Sequence, residues 1–405
     1  MSLHVDAGRI AAVQRRTIGV LSAGQILGGI AFGATVSLGA ILAADLSGSD
    51  ALSGLATAAI TLGTALTAVP LAALARGRGR RPALVTGMLV ALIGVGLVIT
   101  AVAIRAFPLL LTGFALIGAG QAANLQSRFA ATDLATDASR GRDLSLVVWA
   151  TTIGAVLGPN LVGPGEALGA LVGMPTFTGP YLFTIGAQLL GVILLLTALR
   201  PDPLLLAQQV IAARDPGADR ITHADRPRAA LFATVAIIGA HAVMVSIMAM
   251  TPIHLLHHGA TLTVVGLTIS LHIAGMFGLS PVFGLLADRW GRVATVLLGY
   301  GILAACVAVI ALAQHDTTAV TVALVLLGLG WSAATVAGST LLTEASAEAL
   351  RTRRQGRTDF WMSLAGALGA VGAGGALSWA GFSGLALLAL PILIAVAALS
   401  PLARR

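Results

Sequence analysis

Lysine is absent from this chain, and all 24 basic residues are arginine. Cysteine occurs once, at Cys306. One thiol can build neither a disulfide framework nor a thiolate zinc site, so Cys306 reads as a small core or lipid-facing side chain. Charged residues are only 10% and aromatic residues only 4% of the 405. The net charge of +8 is no sign of nucleic-acid binding, because no basic stretch is interleaved with aromatics on which bases could stack. No spaced nucleophile, base and orienting acid occurs in the polar segments, so nothing supports an enzyme. Carboxylates are also missing from the middle of every long apolar stretch. Asp45, Glu166 and Asp316 fall toward one end of such stretches, and Asp133, Asp288, Glu344 and Asp359 toward the other.

What the chain has is hydrocarbon. Hydrophobic residues are 57% and the mean hydropathy is +0.94, values of an integral membrane protein. A helix needs about 20 apolar residues to cross a ~30 Å hydrocarbon core. Twelve stretches qualify, near 17–44, 51–75, 82–104, 107–131, 143–163, 180–199, 229–253, 262–287, 293–313, 318–343, 359–380 and 383–402. Arg9, Arg15 and Arg16 lead directly into the first, so no cleaved signal is expected. With the N-terminus in the cytoplasm, every arginine except Arg105 falls at the inner side, and the positive-inside rule places both termini there. The expected fold class is an all-α membrane protein of two six-helix bundles, residues 1–199 and 229–405. The polar, proline-containing stretch 200–228 is the cytoplasmic linker between them.

The halves resemble each other. After span eight comes Gly284-Leu-Leu-Ala-Asp288-Arg289-Trp-Gly291-Arg292, and after span two comes Ala72-Ala-Leu-Ala-Arg76-Gly77-Arg-Gly79-Arg80. The Gly141-Arg142 that opens span five matches the Gly356-Arg357 that opens span eleven. On these features the chain resembles the major facilitator superfamily, along essentially its whole length. Gly284 allows two helices to approach closely, and Asp288 can accept bonds from orphan amides of a helix N-terminus and pair with Arg292. The resemblance implies a conformational latch at Gly284, Asp288, Arg289, Gly291 and Arg292. The first-half copy carries Arg76 for the aspartate and Ala72 for the glycine, and is expected to be degenerate. Span five holds Gly154-Ala-Val-Leu-Gly158-Pro159, similar to a motif associated with exporters, which packing of small residues explains equally.

Cargo is signalled by soft ligands. Residues 229–287 hold four of the eight methionines, Met244, Met248, Met250 and Met276, and five of the eight histidines. Met244 and Met248 in span seven, and His272 and Met276 in span eight, stand four apart and share one helix face. Thioether and imidazole favour Cu(I) over hard ions. With a ~1.5 Å rise per residue, Met244 and His272 lie at similar depth, and His241 shares the face of Met244 and Met248. His254, His257 and His258 are an outer mouth, either an entry site or a solvated loop. The bland readings are methionine as flexible packing and His272 as an inter-helix hydrogen bond. Gln25, Gln121 and Asn124 are polar residues on spans that line the central cavity of the fold. If protons are coupled, His241 and His272 are the available carriers.

Met-xxx-Met followed by His-xxx-Met in consecutive spans resembles the CcoA-like copper transporters, a bacterial branch of the superfamily. That resemblance implies Met244, Met248, His272 and Met276 as ligands, Cu(I)-type import across the cytoplasmic membrane, and a copper chaperone as a partner. Copper would be substrate, with no resident cofactor, and a monomer is expected. The alternatives are a proton-coupled carrier of drugs or small metabolites and a non-transporting receptor that retains the fold.

Overall fold

In hydrocarbon every backbone amide must find its partner within the protein, and a helix does this locally. The computed structural model describes residues 7–48, 52, 54–212, 225–260 and 262–404, and among these residues there is no strand. In chain order the helices are α1 (Ala7–Ser47), α2 (Gly54–Arg78), α3 (Arg80–Ala103), α4 (Phe107–Ala130), α5 (Arg140–Asn160), α6 (Val162–Leu171), α7 (Tyr181–Ala198) and α8 (Pro203–Ala212). They continue with α9 (Pro227–His257), α10 (Leu262–Phe277), α11 (Ser280–Trp290), α12 (Arg292–Ala313), α13 (Thr317–Ala345), α14 (Glu348–Leu387) and α15 (Leu390–Leu399).

Among the described residues nine helices are long and apolar enough to cross a membrane, or ten if α5 and α6 form one bent span. The count falls below twelve partly because the expected spans 359–380 and 383–402 run together over Glu348–Ala403. Gly381, at φ 71° and ψ −176°, kinks the chain between them, at the boundary expected from the sequence. Span eight breaks instead into α10 and α11, with Pro281 in the first turn of α11. Proline removes an amide donor and its ring crowds the carbonyl four residues back. The linker is less irregular than its prolines suggest, since α8 lies within it. Its residues 213–224 fall outside the described ones.

Two compact units emerge. The first takes in residues within 1–135, 150–221 and 355–360, and the second those within 136–149, 222–354 and 361–405. Residues 355–360 of α14 thus cluster with the first unit, and the opening turns of α5 with the second. In the first unit a core of Leu38, Leu42, Ile60, Val95, Leu110, Phe114 and Tyr181 is buried. Glycine lets backbones meet directly, as membrane helices require in the absence of a hydrophobic drive between them. A Cβ on Gly63 of α2 would overlap the Ala115 carbonyl of α4. In the second unit α9 and α10 each pack chiefly on α13 and touch one another only sparsely.

Candidate functional site

Both repeats turn on the same conformation. Gly79 and Gly291 each have φ 96°, a region that costs a side chain dearly and glycine almost nothing. In the second unit, Asp288 of α11 accepts the amides of Gly141 and Arg142, both at 3.0 Å, at the start of α5. Its neighbour Arg292 reaches Asp288 at 3.1 Å and Glu344 at 2.7 Å. Arg292 also donates to the Ala287 and Asp137 carbonyls. Gly284 and Gly141 bring α11 and α5 together, because a Cβ at Gly141 would lie 2.6 Å from the Asp288 carboxylate and 2.7 Å from the Gly284 carbonyl. Arg289 is exposed. Replacing Asp288 by alanine orphans two helix amides, at about 1.5–3 kcal/mol for bonds to a charged group, while Arg292 keeps Glu344 and two carbonyls. The thermal midpoint of purified Asp288→Ala should therefore fall clearly, while Arg289→Ala leaves it in place; equal midpoints would refute this role.

The first-unit copy has lost its acid but is not empty. Arg76 is exposed, whereas Arg80 is fully buried and grips Asp133 through Nε at 2.8 Å and Nη2 at 3.0 Å. Nη2 also donates to Gln355 at 2.8 Å. Asp202, from the linker, accepts the Arg80 and Arg81 amides at 3.1 and 2.7 Å and so caps α3. A second buried pair joins Arg128 of α4 to Asp359. Sequence reasoning missed Asp202, Gln355 and the pairing of Asp359. The available signal was that Asp133, Glu344 and Asp359 share the inner level with buried arginines.

The candidate copper ligands occupy different surroundings. Met244 is buried, 3% exposed, while Met248 and Met276 are half-buried. His272 is fully buried, its Nδ1–H donating to the Leu324 carbonyl of α13 at 2.8 Å. That bond fixes the tautomer, and Nε2 has no hydrogen-bond partner. His241 accepts a bond from Trp331 Nε1 at 3.1 Å. Among the described residues α9, which carries Met244 and Met248, and α10, which carries His272, touch only sparsely. Among the described residues no group of three or more His, Cys, Asp or Glu could hold a metal ion.

At the outer mouth His254 donates through Nε2 to the Gln314 carbonyl at 2.7 Å and stacks on Phe382 at 4.1 Å. Burial holds its imidazole below the usual histidine range, against the opposing Gln314 bond, so the ring stays neutral near pH 7. His258 bonds the His254 carbonyl through Nδ1 and meets His315 Nδ1 at 3.0 Å through Nε2. His257 is exposed. His315 is an addition to the trio expected from sequence.

Neutral polar groups gather in the first unit. Gln121 and Asn124 of α4, Thr184 and Gln188 of α7, and Thr35 and Phe32 of α1 line a cavity of about 10 Å³. Gly28 has no side chain where the Asn124 carboxamide lies. The Oε1 atoms of Gln25 and Gln188 are buried without hydrogen-bond partners. A larger cavity, about 230 Å³, is walled in the second unit by small and apolar residues of α9, α14 and α15, with Ser246 its polar exception.

Comparison with known proteins accounts for this architecture. The family model described as Major Facilitator Superfamily matches residues 21–259 and 231–405. The chain is 37% identical over 360 residues to the uncharacterised MFS-type transporter YddS of Bacillus subtilis (strain 168), covering 87% of this chain and 83% of that one. It is 32% identical over 361 residues to the riboflavin transporter RfnT of Brucella anthropi, covering 87% and 86%. In fold it is similar to the human organic anion transporter MFSD10 (TETRAN), with TM-score 0.75 at 17% identity over 96% and 99% of the chains. With its family-model match along both halves and its paired glycine turns, the protein is a membrane transporter of the Major Facilitator Superfamily.

Proposed function

We propose that this transporter carries a neutral, hydrogen-bonding organic solute of the flavin type across the cytoplasmic membrane by alternating access. The observation that carries the reading is the carboxamide-lined cavity of the first unit. Gln121, Asn124 and Gln188 offer both N–H donors and carbonyl acceptors, which suits an imide edge such as a flavin ring presents. No charge there would have to be desolvated or matched. A volume of about 10 Å³ holds roughly one water, so the cavity is an anchor for the polar edge of a cargo. The riboflavin transporter of Brucella anthropi, similar along most of the chain, supports the same class. Arginine placement supports an orientation with both termini inside, and nothing in the proposed cycle requires more than a monomer.

A second reading, Cu(I) import, is favoured by His272. A ligating histidine typically donates its other ring N–H to a carbonyl, as His272 does to Leu324, with Met276 one turn further along. Riboflavin and copper uptake by the same proteoliposomes separates the two. On the first reading Asn124→Ala lowers riboflavin uptake about tenfold or more, the loss of one to two buried hydrogen bonds, and His272→Ala leaves it within twofold of wild type. Copper uptake that disappears in His272→Ala, without riboflavin uptake, would establish the second reading in its place.

A further inference from the structure

We propose that Asp359 is the proton-binding group of this carrier, with Arg128 as the counter-charge it releases when protonated. The argument begins from a contrast between two buried ion pairs in one unit. Arg80 and Asp133 are both fully buried, and two parallel bonds plus Gln355 tie them together. Asp359 is equally buried, but only Oδ1 is engaged, by Arg128 Nη2. Oδ2 has no hydrogen-bond partner, and neither has Arg128 Nε. A buried carboxylate with an unmet oxygen is expensive, and adding a proton removes both the charge and the unmet acceptor.

The charged groups facing Asp359 are few. Arg128 approaches from α4 and Arg80 from α3, and Arg80 is itself neutralised by Asp133. On its own helix Gln355 is uncharged, Arg357 is exposed and Arg354 is committed to Asp225. Arg128 is therefore the charge that holds Asp359 ionised. In the proposed step a hydronium ion gives its proton to Oδ2 and leaves as water. The carboxyl becomes neutral, Arg128 keeps its charge, and an ion pair between α4 and residues 355–360 becomes a neutral contact. Deprotonation restores the pair. Of the histidines expected to carry protons, His241 spends its Nδ1 lone pair on Trp331, and His272, which donates to Leu324, has no charged partner among the ion pairs of the described residues.

The proton is its own probe, so the test does not depend on the cargo. Purified wild type, Asp359→Asn and the double variant Arg128→Gln/Asp359→Asn are reconstituted in liposomes. Infrared difference spectra are then recorded as pH is lowered, with hydrogen exchange followed over residues 355–360. Beyond the absorption of its other acids, wild type should gain one protonated-carboxyl band that both variants lack. Exchange over 355–360, corrected for its intrinsic pH dependence, should accelerate about tenfold in wild type, the effect of losing one charge-assisted bond, and stay constant in the double variant. The double variant has no stranded charge and guards against misfolding of the single one. A band that persists in either variant, or that wild type never develops, overturns the proposal.

Discussion

Replacing Arg80 by methionine is expected to cost about 3–5 kcal/mol, the penalty for breaking a buried ion pair from one side. Asp133 would keep its charge in a site where its side chain has 0% exposure. Gln355 would lose a donor in the same step. Methionine nearly matches the arginine stem in volume, so the loss is electrostatic and not a cavity. The companion Arg80→Met/Asp133→Leu removes both charges and should recover most of the stability, since apolar replacements of a whole buried pair are often neutral. Thermal unfolding in detergent and the yield of folded protein measure both. A single variant as stable as the double would mean that the pair contributes nothing.

Gly63→Ala is the second large effect. The methyl group would overlap the carbonyl oxygen of Ala115 and lie 2.6 Å from its carbon and 2.8 Å from its Cα. All three are main-chain atoms of α4, so no side-chain rotation relieves the clash and one helix must shift along its length. The crossing is closed from the other side too: Thr64 donates to the Gly118 carbonyl at 3.1 Å, and a Cβ on Gly118 would lie 2.5 Å from the Thr64 amide nitrogen. Overpacking of this kind costs about 1–3 kcal/mol where neighbours can adjust, and a rigid backbone puts Gly63 at or above the top of that range. Gly77→Ala is the control. Nothing lies within 4 Å of its added Cβ, and removing a flexible glycine from a helix should stabilise by about 0.4–1 kcal/mol. Should the two substitutions melt alike, close approach of α2 and α4 is not what holds this unit.

Much of the fold was legible in the residues because the bilayer is a simple solvent. Apolar length, arginine placement and the repeated glycine turn report directly on crossing and duplication. Helix breaks were partly legible: Gly381 kinks the chain between two expected spans, whereas Pro281 splits a span that reads as continuous. The candidate site was read least completely. Four-residue spacing says that His272 and Met276 share a face, but not which neighbour that face meets, and here α13 supplies it through Leu324. Consecutive helices need not be spatial neighbours, and α9 and α10 are joined mainly through α13. Arg128 and Asp359 stand 231 residues apart, beyond any local pattern. The ordinary-looking linker acid Asp202 caps a helix more than a hundred positions earlier.

Gln355 reaches Arg80 across 275 residues of sequence, which imposes an order on biosynthesis. At roughly 5–20 residues per second, the nascent chain spends about 15–55 s with Arg80 inserted and its last hydrogen-bond acceptor not yet translated. A ribosome that stalls before codon 355 therefore releases an amino-terminal fragment in which Nη2 of Arg80 lacks one of its two acceptors and Nη1, unpartnered even in the full chain, stays so.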